Sequence, residues 1–300
     1  MPRRKTPIAL TLCLLPALAA ADAPDCLDTD AALDYWRPVR EQAANETLPA
    51  NQLAPQLLSC LGSPDPELRD RIGYELFAYW LRQEKLDDDA RADLLEALMG
   101  RLTQPGDAVV LSRSFSALVL AEVMRSDANS PFMTSDDRQA LLNTVTAALE
   151  RETDFRGLET DIGWVHPVAH MADLLWRFAL HPATTSEQGR QLLAAVRTKV
   201  APTDVSYSFN EGDRLARAVS TLIRREMLEP EVIVAWLEQF AAPQSMNKWS
   251  AAFQSPAGMA ELHNTKQFLR ALSDQLAGVD IDDGIATTLD ELVTGFTQLI

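Results

Sequence analysis

Between Asp154 and Arg177 the chain reads DFRGLETDIGWVHPVAHMADLLWR, and its two histidines, His166 and His170, stand about one helical turn apart. An i, i+4 imidazole pair is the spacing with which helices hold a divalent metal ion. Asp173 can orient the His170 ring or join such a site, although roughly 10 Å of helix axis would separate it from His166. A zinc-protease helix needs glutamate directly after the first histidine, and Pro167 stands there instead, which argues against protease chemistry. Two other readings compete: a solvated helix face whose His, Asp and Arg side chains bond locally, and a site for a non-metal ligand.

A second cluster is Arg113-Ser114-Phe115-Ser116, set among Val109, Val110, Leu111, Leu118, Val119, Leu120 and Val123. A helix apolar nearly all round is a central one. Arg113 buried there needs an anionic partner, because an unpaired guanidinium in the interior costs several kcal/mol. Glu152, Asp154 and Asp161 are the available acids, and an ion pair locking neighbouring hairpins is the favoured reading. Ser114 and Ser116 lack the GxSxG turn of an activated serine. Asn210-Glu211-Gly212-Asp213-Arg214 opens a helix with acids at its positive end, which capping alone explains. Asn264 and Arg270 read as packing or cap contacts. The six tryptophans are spread along the chain, as core residues are. No phosphate-cradling GxxxxGK, GxGxxG or calcium loop occurs.

These side chains need helices to position them. Pro167 suits a first turn, so a helix is expected to begin near His166. At about 100° per residue, His166, His170, Asp173 and Arg177 share one strip, opposite Val168, Met171, Leu175 and Phe178. That strip is expected to face solvent or a groove. Apolar periodicity marks further helices near 87–102, 108–126, 135–152, 165–180, 186–200, 211–227, 230–241, 256–277 and 282–299. Asp65-Pro66-Glu67 starts another, running to about Gln83. No sustained period-two pattern marks a strand. Short connectors between such helices imply antiparallel hairpins, and so many helices cannot surround one small core. The expected fold is all-α: a HEAT-like α–α superhelix, a solenoid of helix hairpins forming one domain over residues 22–300. No strict internal repeat accompanies it. Irregular stretches at 153–163, 201–210 and 242–255 are the expected loops over one face, where sites tend to sit.

Residues 1–21 have the shape of a secretory signal: basic Arg3, Arg4 and Lys5, an apolar Ile8–Leu18, then Ala19-Ala20-Ala21. Cleavage after Ala21 would release a periplasmic or secreted protein without a transmembrane segment. Losing those three basic residues takes the formal charge from -16 to -19, which disfavours nucleic acid and anionic membranes as partners. Cys26 and Cys60 then remain, and an even pair in an oxidising compartment reads as a disulfide. Such a bridge would contribute roughly 3–4 kcal/mol in the chain-entropy model.

The chain resembles a bacterial family catalogued as domain of unknown function 2785. The resemblance rests on Asp65-Pro66-x-Leu68-Arg69-Asp70, Arg113-Ser114-Phe115-Ser116, Glu152-x-Asp154-x-Arg156-Gly157, Gly163-Trp164-x-His166-x-x-Ala169-His170-x-Ala172-Asp173, Gly212-x-x-Arg214-Leu215-Ala216 and Asn264-x-x-x-Phe268-Leu269-Arg270. It covers roughly residues 55–275, and the Gly-Trp…His…Ala-His…Ala-Asp element is its specific part. The resemblance implies an α-helical superhelix and a shared polar constellation without an assigned role. The signal segment and the Cys26/Cys60 pair depart from it. So does Pro167, which leaves His166 at a helix cap.

The functional expectation is a module that binds a protein or small-molecule ligand. Its candidate cluster comprises Arg113, Ser114, Glu152, Asp154, Arg156, Asp161, Trp164, His166, His170, Asp173, Glu211 and Arg214. The alternative is a periplasmic hydrolase, either metal-dependent, with His166 and His170 holding a divalent ion, or carboxylate-based. Glu152, Asp154 or Asp161 would be its general base.

Overall fold

Capped starts and short polar connectors divide the chain into helices. The computed structural model describes residues 23–44 and 48–299, so the expected signal segment lies outside the described residues. In order, the helices are α1 (Thr29–Glu41), α2 (Ala50–Leu57), a π-helical segment (Glu67–Tyr74), α3 (Glu75–Arg82), α4 (Asp88–Leu102), α5 (Val110–Asn129) and α6 (Ser135–Arg151). They continue with α7 (Pro167–Leu180), α8 (Ser186–Lys199), α9 (Glu211–Arg224), α10 (Pro230–Glu238), α11 (Pro256–Leu276) and α12 (Asp283–Gln298).

The starts follow local chemistry. Asp87 caps α4 by accepting from Ala90 N, and Thr134/Asp137 and Thr185/Gln188 form reciprocal capping boxes on α6 and α8. Prolines occupy the first turns of α7, α10 and α11, where a missing N–H costs nothing. Asp65 Oδ1 accepts from Leu68 N, as the start signal expects. The helix it opens is not one α-helix to Gln83, however: it is π-wound through Tyr74 before α3 begins.

The fold class is all-α, with one correction. Leu158–Glu159 pairs antiparallel with Gly163–Trp164, a two-stranded hairpin where no strand was expected. Its apolar content is too short to show period two. Backbone bonds from Val165 N to Gly157 O and His166 N to Arg156 O carry the pairing up to α7.

Helices α5, α7, α9 and α11 pack side by side in that order, and α4, α6 and α8 form a second row behind them. Helix α5 is central, as its apolar circumference predicts, and α7 is buried on nearly every side. The described core is continuous from Trp36 and Trp80 at one end to Trp236 and Phe296 at the other. Cys26 and Cys60 form a disulfide, both fully buried. Among the described residues no helix is long and apolar enough to cross a membrane.

Candidate functional site

Two helices that carry the site begin on strained residues. His166 (φ 49°) and Asn210 (φ 66°) are the left-handed caps of α7 and α9. Non-glycine residues adopt that conformation at a cost of about 1 kcal/mol or more, and only where surroundings over-determine them. The surroundings here are the hairpin before α7 and the loop before α9, which meet at Phe209. Trp164 lies edge-on to Phe209 and stacks on His166 at 5.0 Å. Gly157 allows this closure, because a Cβ there would fall 1.9 Å from the Phe209 ring. The hairpin tip is tied down by Arg69, whose Nη2 donates to Ile162 O at 2.7 Å. Asn264 clamps the other loop, accepting from Tyr207 N and donating to Pro202 O and Val205 O.

The 166–177 strip is not solvated. His166, His170 and Asp173 are all buried, and only Arg177 reaches partial exposure. The reason is tertiary: α5 and α9 close on both flanks of α7, and their facing residues are polar. The His170 ring shows how tightly. Ser114 Oγ donates to Val165 O at 2.5 Å, and His170 Nδ1 lies 2.8 Å from Ser114 Oγ. A hydroxyl has one proton, so Ser114 accepts from Nδ1–H, and Nε2 of the neutral ring carries the lone pair. Burial, with His166 and Arg214 adding to it, holds the His170 pKa well below 6.5. Phe115 packs edge-on to the same ring at 4.9 Å, and the Arg69 guanidinium stands over Phe115. Ser114 is therefore an orienting group, fully buried with its proton committed.

His166 meets an acid from α9. Its Nε2 lies 3.5 Å from Glu211 Oε1, while Glu211 Oε2 accepts from Phe209 N. Burial raises the Glu211 pKa, but His166 and two backbone N–H groups outweigh it and leave the carboxyl below its ordinary range. Glu211 is thus more than a helix-end charge; it is 2% exposed and part of the site. Asp173 pairs with Arg214 through Oδ2 and lies 3.8 Å from Arg217 through Oδ1. It does not orient His170, as the spacing had suggested; Ser114 does. Among the described residues, His166 Nε2 and Asp173 Oδ1 are buried without a hydrogen-bond partner.

Among the described residues no group of three or more His, Cys, Asp or Glu side chains suited to an ion occurs; with Nδ1–H committed to Ser114, the Nε2 lone pair of His170 is the one that could ligate an ion. The acids named for a general base also stand elsewhere. Glu152 takes two bonds from Arg113, Asp154 is paired with Arg156, and Asp161 is exposed. The carboxylate that meets an imidazole is Glu211.

Of the expected cluster, Ser114, Trp164, His166, His170, Asp173, Glu211 and Arg214 come together, while Arg113, Glu152, Asp154 and Arg156 form a separate group. Arg113 and Ser114 part company because adjacent helical residues point about 100° apart. In that second group Arg113 also donates to Gln104 O and Gly106 O, and Lys199 Nζ donates to Glu152 O at 2.7 Å.

The strip extends further than the sequence suggested. Glu122 on α5, 4% exposed, takes two bonds from Arg82 and lies 3.7 Å from Arg125 and 4.0 Å from Arg177. Trp176 stacks with Arg177 at 4.4 Å and Arg217 at 4.9 Å. A signal was available: Glu122 and Asp127 are the two acids of α5, a helix buried on nearly every side, and buried acids require partners.

The model of a family described as Protein of unknown function (DUF2785) matches residues 98–273. The chain belongs to that family. The match takes in Arg113 through Arg270 and so the α5, α7 and α9 parts of the site; Arg69 lies before it. No curated protein and no solved structure matches the chain. DUF2785 membership carries no assigned activity, and the chemistry has to be read from the site itself.

Proposed function

We propose that this DUF2785 protein is an exported ligand-binding module whose site is the polar strip on α7, between α5 and α9. The observation that carries the reading is that His166 Nε2 and Asp173 Oδ1, on either side of the fixed His170 ring, make only long ionic contacts, 3.5 Å to Glu211 and 3.8 Å to Arg217, and no hydrogen bond of ordinary geometry. Buried polar atoms are nearly always satisfied, and those that are not call for a reason. A bound ligand with its own donors and acceptors would supply the missing partners. Trp164, 39% exposed and stacked on His166, then serves as the cover over that end of the strip. The hydrolase alternative has no comparable support, since Glu152 and Asp154 lie in other contacts and Asp161 is exposed.

The side-by-side order of α5, α7, α9 and α11, with α4, α6 and α8 behind, supports a HEAT-like superhelix forming one domain. The Cys26–Cys60 bridge supports an oxidising compartment such as the periplasm, consistent with a signal cut after Ala21.

A crystal structure of tag-free protein purified without denaturation tests the site. The expected result is density for a co-purified molecule bridging Nε2 of His166 and Oδ1 of Asp173. Ordinary solvent there, together with no rise in melting temperature across a broad small-molecule screen, rejects the reading.

A further inference from the structure

Although the chain is acidic overall, with 43 Asp and Glu against 27 Lys and Arg, the strip across α3, α5, α7 and α9 has the opposite sign. Arg82, Arg125 and Arg177 converge on Glu122, and Arg214 and Arg217 converge on Asp173. Two carboxylates cannot neutralise five guanidiniums. Arg125, Arg177 and Arg217 donate no hydrogen bond to the described protein, although each guanidinium offers five N–H donors. Their side chains keep 41%, 21% and 40% of their exposure, so those donors remain reachable.

These arginines are nonetheless held in place. Arg177 and Arg217 both lie against the ring of Trp176, and such cation–π contacts fix a guanidinium plane without using its N–H groups. Burial lowers the Arg177 pKa, and Arg125 and Arg82 add to the effect despite Glu122, as expected where cations crowd one another. A fork of preorganised donors with surplus positive charge is the arrangement that recognises planar or tetrahedral oxyanions.

Resting on the reading of this face as a ligand site, we propose that the ligand is a small polyanion carrying two or more carboxylate or phosphate groups, bound by Arg125, Arg177 and Arg217. One end of it would lie over Trp176 and the other would approach the His166–Asp173 strip.

Calorimetric titration with citrate and with sodium tripolyphosphate, each against sodium chloride at matched ionic strength, tests this. The two anions separate a carboxylate from a phosphate preference. Binding of either is expected, weakened at least tenfold in Arg177→Ala/Arg217→Ala and unchanged in Arg190→Ala, an exposed arginine on α8. If the double variant does not fold, Arg177→Lys/Arg217→Lys keeps the charge and loses the fork, and it too is expected to weaken binding. No binding of either anion to the wild type, or equal binding by wild type and the arginine variants, overturns the polyanion assignment. Loss of binding in His170→Gln with arginine variants unaffected overturns it too, yet leaves the ligand-site reading standing.

Discussion

Two buried polar groups lie among the packed helices and differ in one respect. Around Arg113 every requirement is met: Nε and Nη2 donate to Glu152, Nη1 to the carbonyls of Gln104 and Gly106, and Glu152 Oε1 also accepts from Thr153 N and Asp154 N. Across α5, α7 and α9, His166 Nε2 and Asp173 Oδ1 make no hydrogen bond, and Arg125, Arg177 and Arg217 approach their acids no closer than 3.7 Å. A saturated network locks helices together; an unsaturated one has capacity for something else. The polarity of a buried cluster thus says little about its role until its hydrogen bonds are counted.

The contrast can be broken from its saturated side first. Arg113→Ala leaves Glu152 buried and unpaired, and chemical denaturation should show a loss of about 3–5 kcal/mol, with ligand binding by the folded fraction untouched. Asp127 is a second well-bonded acid, accepting from Phe132 N, Met133 N and Arg138, with His181 Nε2 3.1 Å from its Oδ2. Burial pushes its pKa up, but the bonds from His181, those backbone amides and Arg138 prevail and hold it at about 2. Its folded pKa is depressed, so its contribution is complete above the unfolded value and disappears as pH falls from near 4 towards 2. Acid titration of stability should show about 2 kcal/mol lost over that window, and Asp127→Asn should remove the dependence. A wild-type curve that stays flat there would contradict the saturated-knot account.

On the unsaturated side the tests are a pH slope and a single substitution. His170 is neutral when folded, whereas the unfolded chain takes up a proton below 6.5. Its stabilisation is therefore complete above that pH and declines as the pH falls below it, by about 1.4 kcal/mol per unit for one proton. The slope should vanish in His170→Gln; persistence would mean that another group titrates. The smallest expected effect is that of Arg217→Ala, within about 0.5 kcal/mol in stability because the side chain is half-exposed and its ion pair screened. A loss of several kcal/mol would move Arg217 into the locking class and dissolve the distinction.

Particular residues show how far the sequence could be followed. Pro167 announced the start of α7, and apolar spacing placed the starts of α4, α6 and α8 within a residue or two, because helix periodicity and first-turn chemistry are local. Arg113 was legible as an ion-pair member, since an apolar helix demands a partner for it, but the choice of Glu152 over Asp154 required coordinates. The 166–177 strip was found and its environment misjudged: periodicity gives the face of a helix, and a polar face can be covered by another polar face. Glu211 was placed in the candidate cluster but its role was read as that of a helix-end acid, because its sequence neighbours explain it, whereas its contact His166 lies 45 positions away. The two-residue strands of the 158–164 hairpin were too short for any pattern to reveal.

What the chain alone determined is whatever depends on neighbours within a few turns: helix identity and ends, the apolar circumference of α5, the cysteine pair and the spacing of the imidazoles. Tertiary structure decided which polar groups meet, because the order in which α5, α7 and α9 lie side by side joins residues that are distant in sequence. It decided also where charge accumulates, setting a row of arginines across four helices of an acidic protein. Net charge is a sum over all residues, and only packing determines which of them stand together.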